Sequence, residues 1–389
     1  MHDSRWSHPR WLAIPMMLAG LLLLSWLAAA DEHARGVYRQ TNLVSDPNLA
    51  GVAEFTDPSL INPWGLSHSA TSPWWVSDNA TGVATLYDGQ GTPQSLIVTI
   101  PPPAGSPEGT TAAPTGNVFN PTTGFVVCPD PSSGCQDQSS GPSRFLFATE
   151  DGTLSGWNPT VDPTHAILAV DNSANAVDGF TMGAVYKGLA IASTKDQTFL
   201  YATNFRDGVV EIYDDTFKFK TGFTDPDLMP DASAPGFAPF GIQAIGDRLY
   251  VTFAMQDENR HDDVKGPGQG FVDVFDLSGK FIRKLITGAP LNSPWGLALA
   301  PDDFGQFSHA LIVGNFGDGQ INAFDPDSGA FLGPLTKRQG QGIAINGLWG
   351  LSFGNDGSAG KHNELFFTAG INNEMNGLFG KITVGEEDE

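Results

Sequence analysis

Asn62-Pro63-Trp64-Gly65-Leu66-Ser67 returns almost unchanged as Ser293-Pro294-Trp295-Gly296-Leu297-Ala298, and again as Leu348-Trp349-Gly350-Leu351-Ser352. Tryptophan occurs only 9 times in 389 residues, so three returns of Trp-Gly-Leu mark a repeated unit, and repeats are settled before any single residue is read. Worn versions stand at Gly116-Asn117-Val118, Gly188-Leu189-Ala190 and Phe240-Gly241-Ile242. Six openings of one text are therefore spread along the chain.

Each opening is followed by a run of aromatic and aliphatic residues. Trp74-Trp75-Val76-Ser77, Phe145-Leu146-Phe147-Ala148-Thr149 and Leu365-Phe366-Phe367-Thr368 are examples. Next comes a glycine with an aromatic and then Asp or Asn five and six positions on: Gly82…Tyr87-Asp88, Gly152…Trp157-Asn158, Gly208…Tyr213-Asp214, Gly270…Phe275-Asp276 and Gly319…Phe324-Asp325, with Gly377…Ile382-Thr383 degenerate. Residues between these ends alternate, the mark of a strand begun by a glycine turn and ended by an Asp turn. Outer strands are readable at 165–170 and 281–286. Four strands recurring every 50–60 residues or so predict an all-β, six-bladed β-propeller of four-stranded antiparallel blades. With 46 Gly and 28 Pro the composition suits turns.

The sixth unit runs out after Leu378–Val384 and lacks an outer strand, while Tyr38-Arg39-Gln40-Thr41-Asn42-Leu43-Val44 precedes the first unit without a role. Residues 38–44 are therefore predicted to pair beside 377–384 and close the ring, removing an exposed sheet edge.

Arg5 and Arg10, the apolar run Trp11 to Ala30 and the boundary Ala28-Ala29-Ala30 before Asp31 describe a signal peptide over 1–30. About 20 apolar residues also suffice for a retained anchor; Pro15 and the alanine boundary favour cleavage. The expectation is a secreted or periplasmic protein without stable membrane insertion after cleavage, with one propeller domain over 31–385 and an acidic tail at 386–389. A net charge of −23 argues against nucleic acid, whose phosphates need clustered Lys and Arg. Cys128 and Cys135, close together in an exported chain, read as a small-loop disulfide. A two-cysteine metal site would need further ligands than Asp130 and Asp137.

Asn42-Leu43-Val44-Ser45-Asp46, Asn62-Pro63-Trp64-Gly65, Phe147–Trp157 and Tyr186-Lys187-Gly188-Leu189-Ala190 resemble a family of exported bacterial conserved-hypothetical proteins. The resemblance covers nearly the whole chain after the leader and implies no reaction. The blade text is more distantly similar to the NHL-repeat and gluconolactonase-like propellers, which include lactonases, lyases and binding modules, an analogy of fold.

Turns between the second and third strands gather at the channel mouth with the starts of the first strands. Oxygens of Asp78, Glu150, Asn204 and Asn315, one per blade, would suit a hard cation such as Ca²⁺, and the gluconolactonase-like resemblance implies a divalent ion in a comparable place. Asn and Asp are equally what tight turns require. Asn62, Asn292 and Asn346, just upstream of the three Trp-Gly-Leu copies, are candidates for the channel face. His261, within Asp257-Glu258-Asn259-Arg260-His261-Asp262-Asp263, is a candidate general base on the insertion 257–270, although a solvated charged loop has the same composition. The insertion 101–142 reads either as a flap that touches a partner or as padding. Gly350-Leu351-Ser352-Phe353-Gly354 matches a nucleophile elbow only in letters, because that motif needs a strand-to-helix turn. Two functions follow. The first is a binding or scaffold propeller presenting its channel face to a protein, carbohydrate or small molecule. The second is a metal-dependent hydrolase or lyase of the lactonase-like kind.

Overall fold

Phe145-Leu146-Phe147-Ala148 shows why the second strands read as unbroken apolar runs. Phe145 and Phe147 pack with Trp75 and Leu86 of the preceding blade, whereas Leu146 and Ala148 pack with Tyr186 and Leu189 of the following one. Both faces of the strand are buried, so both parities must be apolar. The computed structural model describes residues 37–49, 51–130, 135, 139–174, 183–228 and 235–385. The expected signal peptide over 1–30 and the acidic tail at 386–389 lie outside these.

Six blades are present, each with four antiparallel strands; the sixth carries in addition a short fifth strand, Phe55–Thr56, parallel to Tyr38–Ser45. Blade 1 comprises Pro63–Ser67, Trp74–Asp78, Val83–Tyr87 and Val98–Thr99; blade 2 comprises Pro114–Phe119, Phe145–Thr149, Thr153–Trp157 and Ile167–Asp171. Blade 3 runs Tyr186–Ser193, Thr198–Asn204, Val209–Asp214 and Phe219–Phe223; blade 4 runs Phe237–Ile245, Arg248–Met255, Phe271–Asp276 and Phe281–Thr287. Blade 5 consists of Pro294–Leu299, Leu311–Asn315, Ile321–Phe324 and Phe331–Pro334. Blade 6 takes Leu348–Phe353, Leu365–Ala369 and Leu378–Val384 from the end of the chain and Tyr38–Ser45 from its beginning. The closing strand is antiparallel, from Tyr38 opposite Val384 to Ser45 opposite Leu378, so the predicted closure is observed.

Six apolar clusters fill the six gaps between successive blades, including the seam between blades 6 and 1. Each fully buried Leu or Phe contributes about 1.5–3 kcal/mol, so the gaps hold most of the stabilising area. The innermost strands touch their neighbours in a closed ring, and six glycines make that approach possible. A Cβ on Gly65 would lie 2.6 Å from the Thr115 carbonyl oxygen, and one on Gly296 would lie 2.6 Å from that of Trp349. Gly116, Gly188, Gly241 and Gly350 stand equally close to the next blade. Threonine hydroxyls stitch the same seams: Thr115 Oγ1 donates to the Tyr186 carbonyl at 2.8 Å, Thr203 Oγ1 to that of Phe240 at 2.8 Å, and Thr368 Oγ1 to that of Trp64.

The stretch 101–142 is not wholly an insertion, because it contains the inner strand of blade 2. Its remainder includes a small hairpin, Val126–Val127 with Gly141–Pro142, and Phe125, which is buried between blades 2 and 3. Cys128 and Cys135 lie at disulfide distance, with Cα atoms 5.2 Å apart. Among the described residues no helix is long and apolar enough to cross a membrane.

Candidate functional site

Just before each ring glycine stands one residue per blade: Trp64, Thr115, Lys187, Phe240, Trp295 and Trp349. Four are aromatic, and they meet at the axis. Trp349 is sandwiched between Trp64, with ring centroids 3.5 Å apart, and Phe316 at 3.8 Å, while Trp295 sets its edge against both indoles. With Phe205 and Phe240 they form a buried cluster that plugs the channel. On one side of this plug the glycine ring leaves a cavity of only about 40 Å³. The tryptophans thus pack against one another across the axis as well as between neighbouring blades.

Lys187 is the exception in that ring. It is 1% exposed, and its Nζ stands 5.2 Å over the Trp64 ring and 5.8 Å over Phe205. A lone ammonium there would carry a large desolvation penalty. It is met by Glu150 Oε1, from the turn of blade 2, and by Asp262 Oδ1 at 3.3 Å, from the long loop of blade 4. Burial pulls the Lys187 pKa down, but the two carboxylates outweigh it and hold the group above the ordinary lysine value. The lysine is therefore a fixed cation. Asp262 is held below the usual carboxylate range, chiefly by its bond with His261, whose Nδ1 lies 2.9 Å away, and also by Lys187.

From Glu150 the contacts run on around the mouth. Asn79 Nδ2 donates to Glu150 Oε2 at 2.9 Å; Asn62 Nδ2 donates to Asn79 Oδ1 at 3.2 Å and to Glu374 Oε2 at 3.1 Å. Trp349 Nε1 donates to Asn62 Oδ1 at 3.1 Å, and Trp295 Nε1 to the Lys187 carbonyl at 3.0 Å, tying the rim to the plug. Trp64 Nε1 is buried without a hydrogen-bond partner among the described residues. Glu374 is carried by three consecutive left-handed residues, Asn372 (φ 56°), Asn373 (φ 54°) and Glu374 (φ 66°). Asn tolerates that region; Glu does so at a cost on the order of 1 kcal/mol. Burial, followed by the nearby Glu150 charge, raises the Glu374 pKa.

The four residues proposed as cation ligands have separate partners. Asp78 Oδ2 accepts from Thr85 at 2.7 Å within blade 1, Asn204 donates to Asp207 and Glu211 within blade 3, and Asn315 donates to Asp318 and the Pro290 carbonyl in blade 5. Glu150 alone of the four reaches across blades. A different grouping, Glu150, His261 and Asp262, brings ligand atoms within 4.8 Å of one another and could hold a metal ion. Its two carboxylates already grip the Lys187 ammonium, however, and Ca²⁺ seeks six to eight oxygens, so that ion fits this set poorly as it stands.

The three asparagines need a correction of register. Counted from the tryptophan, Asn62 corresponds to Ser293 and Gly347, and all three are left-handed, with φ of 49°, 46° and 65°. Asn292 and Asn346 stand one residue earlier. Asn292 accepts from the Gly266 amide at 2.8 Å, and Asn346 accepts from the Asn372 amide at 3.2 Å. Both hold loops, whereas Asn62 joins the rim. Sequence reasoning missed Lys187 and Glu374. Lys187 had a signal, a charged residue where four of the other five units place an aromatic before the glycine.

No family model matches the chain. It is 32% identical over 339 residues to uncharacterized protein R648 of Acanthamoeba polyphaga mimivirus, covering 86% of this chain and 78% of that protein. It is 31% identical over 355 residues to protein L690 of the same virus, covering 90% and 87%. These relatives are viral, and the bacterial origin implied by the resemblance has no support among them. Among solved structures it is similar to virginiamycin B lyase from Staphylococcus aureus (TM-score 0.48, 13% identity, 89% of this chain and 98% of that one). It is also similar to the Dos1 propeller (TM-score 0.42, 9% identity, 87% and 71%).

Proposed function

Because the chain belongs to the family of the mimivirus proteins R648 and L690, whose names carry no activity, we propose a function from the site alone: a non-catalytic recognition propeller that binds a hydroxyl-rich ligand, of carbohydrate class, at the mouth above the aromatic plug. The carrying observation is the unbroken polar circuit Asp262–Lys187–Glu150–Asn79–Asn62–Glu374, drawn from blades 4, 3, 2, 1 and 6. Its accessible members, Asn79, Glu150, Asp262 and Glu374, present amide and carboxylate groups side by side, held in place by the buried Lys187 and Asn62, and so offer the donors and acceptors that hydroxyl groups require. Lys187, protonated and paired twice, is unsuited to nucleophilic work, which needs a neutral amine. Export belongs to the same proposal: the pair Cys128–Cys135 suits an oxidising compartment, and N-terminal sequencing of secreted material tests it.

A glycan array probed with the protein lacking residues 1–30 tests the reading. We expect selective binding that falls at least tenfold in Asn79→Ala and in Glu374→Ala, at an unchanged melting temperature within a few degrees. Binding indifferent to both substitutions, or none to any glycan, overturns it.

The grouping of Glu150, His261 and Asp262 favours a second reading, a metal-dependent hydrolase or lyase in which the two carboxylates hold the ion and His261, left unligated, is the base. Thermal unfolding in Ca²⁺ and in EDTA separates the two, since an ion bound only to the native state raises its stability. A rise of several degrees with Ca²⁺ would favour the enzyme.

A further inference from the structure

Away from the axis, a cavity of about 780 Å³ opens where the closing strand meets the last blade. Arg39, Lys337, Arg338 and Lys361 line it, with Gln40 and Asn363 between them. The chain has 20 Lys and Arg against 43 Asp and Glu, so four cations on one concavity run against the composition. Among the described residues none of the four side chains forms an ion pair, although other lysines of the chain do. Among the described residues, the lining Glu364 and the flanking Asp303 are already engaged. Glu364 Oε1 accepts from Lys381 at 2.8 Å and its Oε2 from the Lys361 amide at 3.1 Å, while Asp303 accepts from Asn363 at 2.8 Å and faces His362 at 3.3 Å.

We infer that this groove is a binding site for a small polyanion, a molecule bearing several phosphate or sulfate groups on a compact scaffold. The volume lies within the roughly 300–1,000 Å³ of small-molecule sites. Two arginines offer forked donors that match tetrahedral oxyanions, and two lysines add point charges. The net charge of −23 does not forbid this, because exposed charges beyond ~8 Å are largely screened at physiological ionic strength. The same global charge disfavours a long nucleic acid, which would lie across the acidic surface as well. The site is independent of the axial mouth, and either can stand if the other fails.

Calorimetric titration with sodium tripolyphosphate and with sucrose octasulfate is the test, at 50 and 200 mM salt. At least one probe should bind stoichiometrically, with affinity falling about tenfold or more between the two salts, as ion-pair binding requires. Preference for the first assigns a phosphorylated ligand, preference for the second a sulfated saccharide. The pair Lys337→Glu and Arg338→Glu should weaken binding at least tenfold, and so should Arg39→Glu alone, while Lys280→Glu on the distant turn of blade 4 should not. No binding of either probe at 50 mM salt, or equal binding by all variants, overturns the assignment. Far-ultraviolet dichroism confirms that each variant is folded.

Discussion

Lys187 carries the heaviest electrostatic demand of any residue at the mouth, so its removal is informative. Replacing it with methionine keeps the bulk over Trp64 but leaves Glu150 and Asp262 facing each other without a cation. Breaking a buried pair from one side costs about 3–5 kcal/mol; Asp262 is largely exposed, which places the expected loss near the lower end. The loss should be pH-dependent. Protonation relieves the stranded carboxylates, so the gap in melting temperature between Lys187→Met and wild type should narrow as pH falls from 7 toward 4. A gap that is constant over that range would show that packing, not charge, is what Lys187 supplies. A second residue titrates in the opposite sense. Asp273 is fully buried in blade 4, and burial, with the neighbouring Asp225 charge, pushes its pKa up to about 8. The folded state then holds a proton that the unfolded chain releases near pH 4, so stability contributed here falls as pH rises from about 4 to 8. Asp273→Asn mimics the protonated form. It should melt higher than wild type at pH 8 and show a flatter profile between pH 5 and 8. A variant no more stable than wild type at pH 8 would mean that Asp273 is ionised in the fold, with Lys284, 2.5 Å from Asp225, neutralising the pair.

At the scale of the strand, the Trp-Gly-Leu element joins two functions, a plug made by its first residue and a close seam made by its second. The seam can be tested without touching the plug. In Gly296→Ala the new methyl meets backbone, the Trp349 carbonyl, which cannot swing aside as a side chain could. Overpacking costs about 1–3 kcal/mol, and we expect the upper part of that range in urea unfolding. Gly222→Ala, in the outer strand of blade 3 with nothing nearer than 3.7 Å, should be neutral within about 0.5 kcal/mol. Equal effects at the two positions would argue that backbone entropy, not the seam, explains the glycines. The strands were readable from sequence because burial on both faces forces a continuous apolar run, and because the third strands of blades 1, 2, 3 and 5 follow a glycine in a left-handed turn, as at Gly82 (φ 69°) and Gly208 (φ 72°). The mouth was less readable. Glu374 is aimed by a left-handed turn that no residue pattern announces. Asn292 stands three residues before its tryptophan and Asn62 two, an offset the sequence shows, but that the position two before is the left-handed one is seen only in the backbone. Of the candidate ligands, Asp78, Asn204 and Asn315 share a turn position, but a shared position gives each its own blade's partners. Convergence depends on side-chain direction, and of the four only Glu150 reaches another blade.

Over the whole molecule, closure decides whether six marginal sheets behave as one cooperative body. A ring of blades has no ends if its last seam is as well packed as the others, and here that seam depends on the segment farthest away in sequence. Tyr38 contributes to the cluster between blades 5 and 6, Leu43 and Val44 to the one between blades 6 and 1, and Tyr38 Oη donates to the Phe304 carbonyl at 2.9 Å. The sequence showed this closure because a missing outer strand and a spare strand are complementary absences, independent of any local propensity. Deleting residues 31–45 should therefore do more than remove one strand. It strips the cover from two buried clusters and exposes Leu378–Val384 as an unpaired edge able to pair with another copy. We expect the shortened chain to lose its near-ultraviolet dichroism, to elute as aggregate in gel filtration and to melt without a cooperative transition. Supplying residues 37–46 as a separate peptide should restore a measurable part of the transition, because the edge and its register are already set by blade 6. A shortened chain that stays monomeric and melts as wild type does would show that the five other seams hold the ring by themselves, and that the strand pairing of Tyr38–Ser45 with Leu378–Val384 adds contact without adding stability.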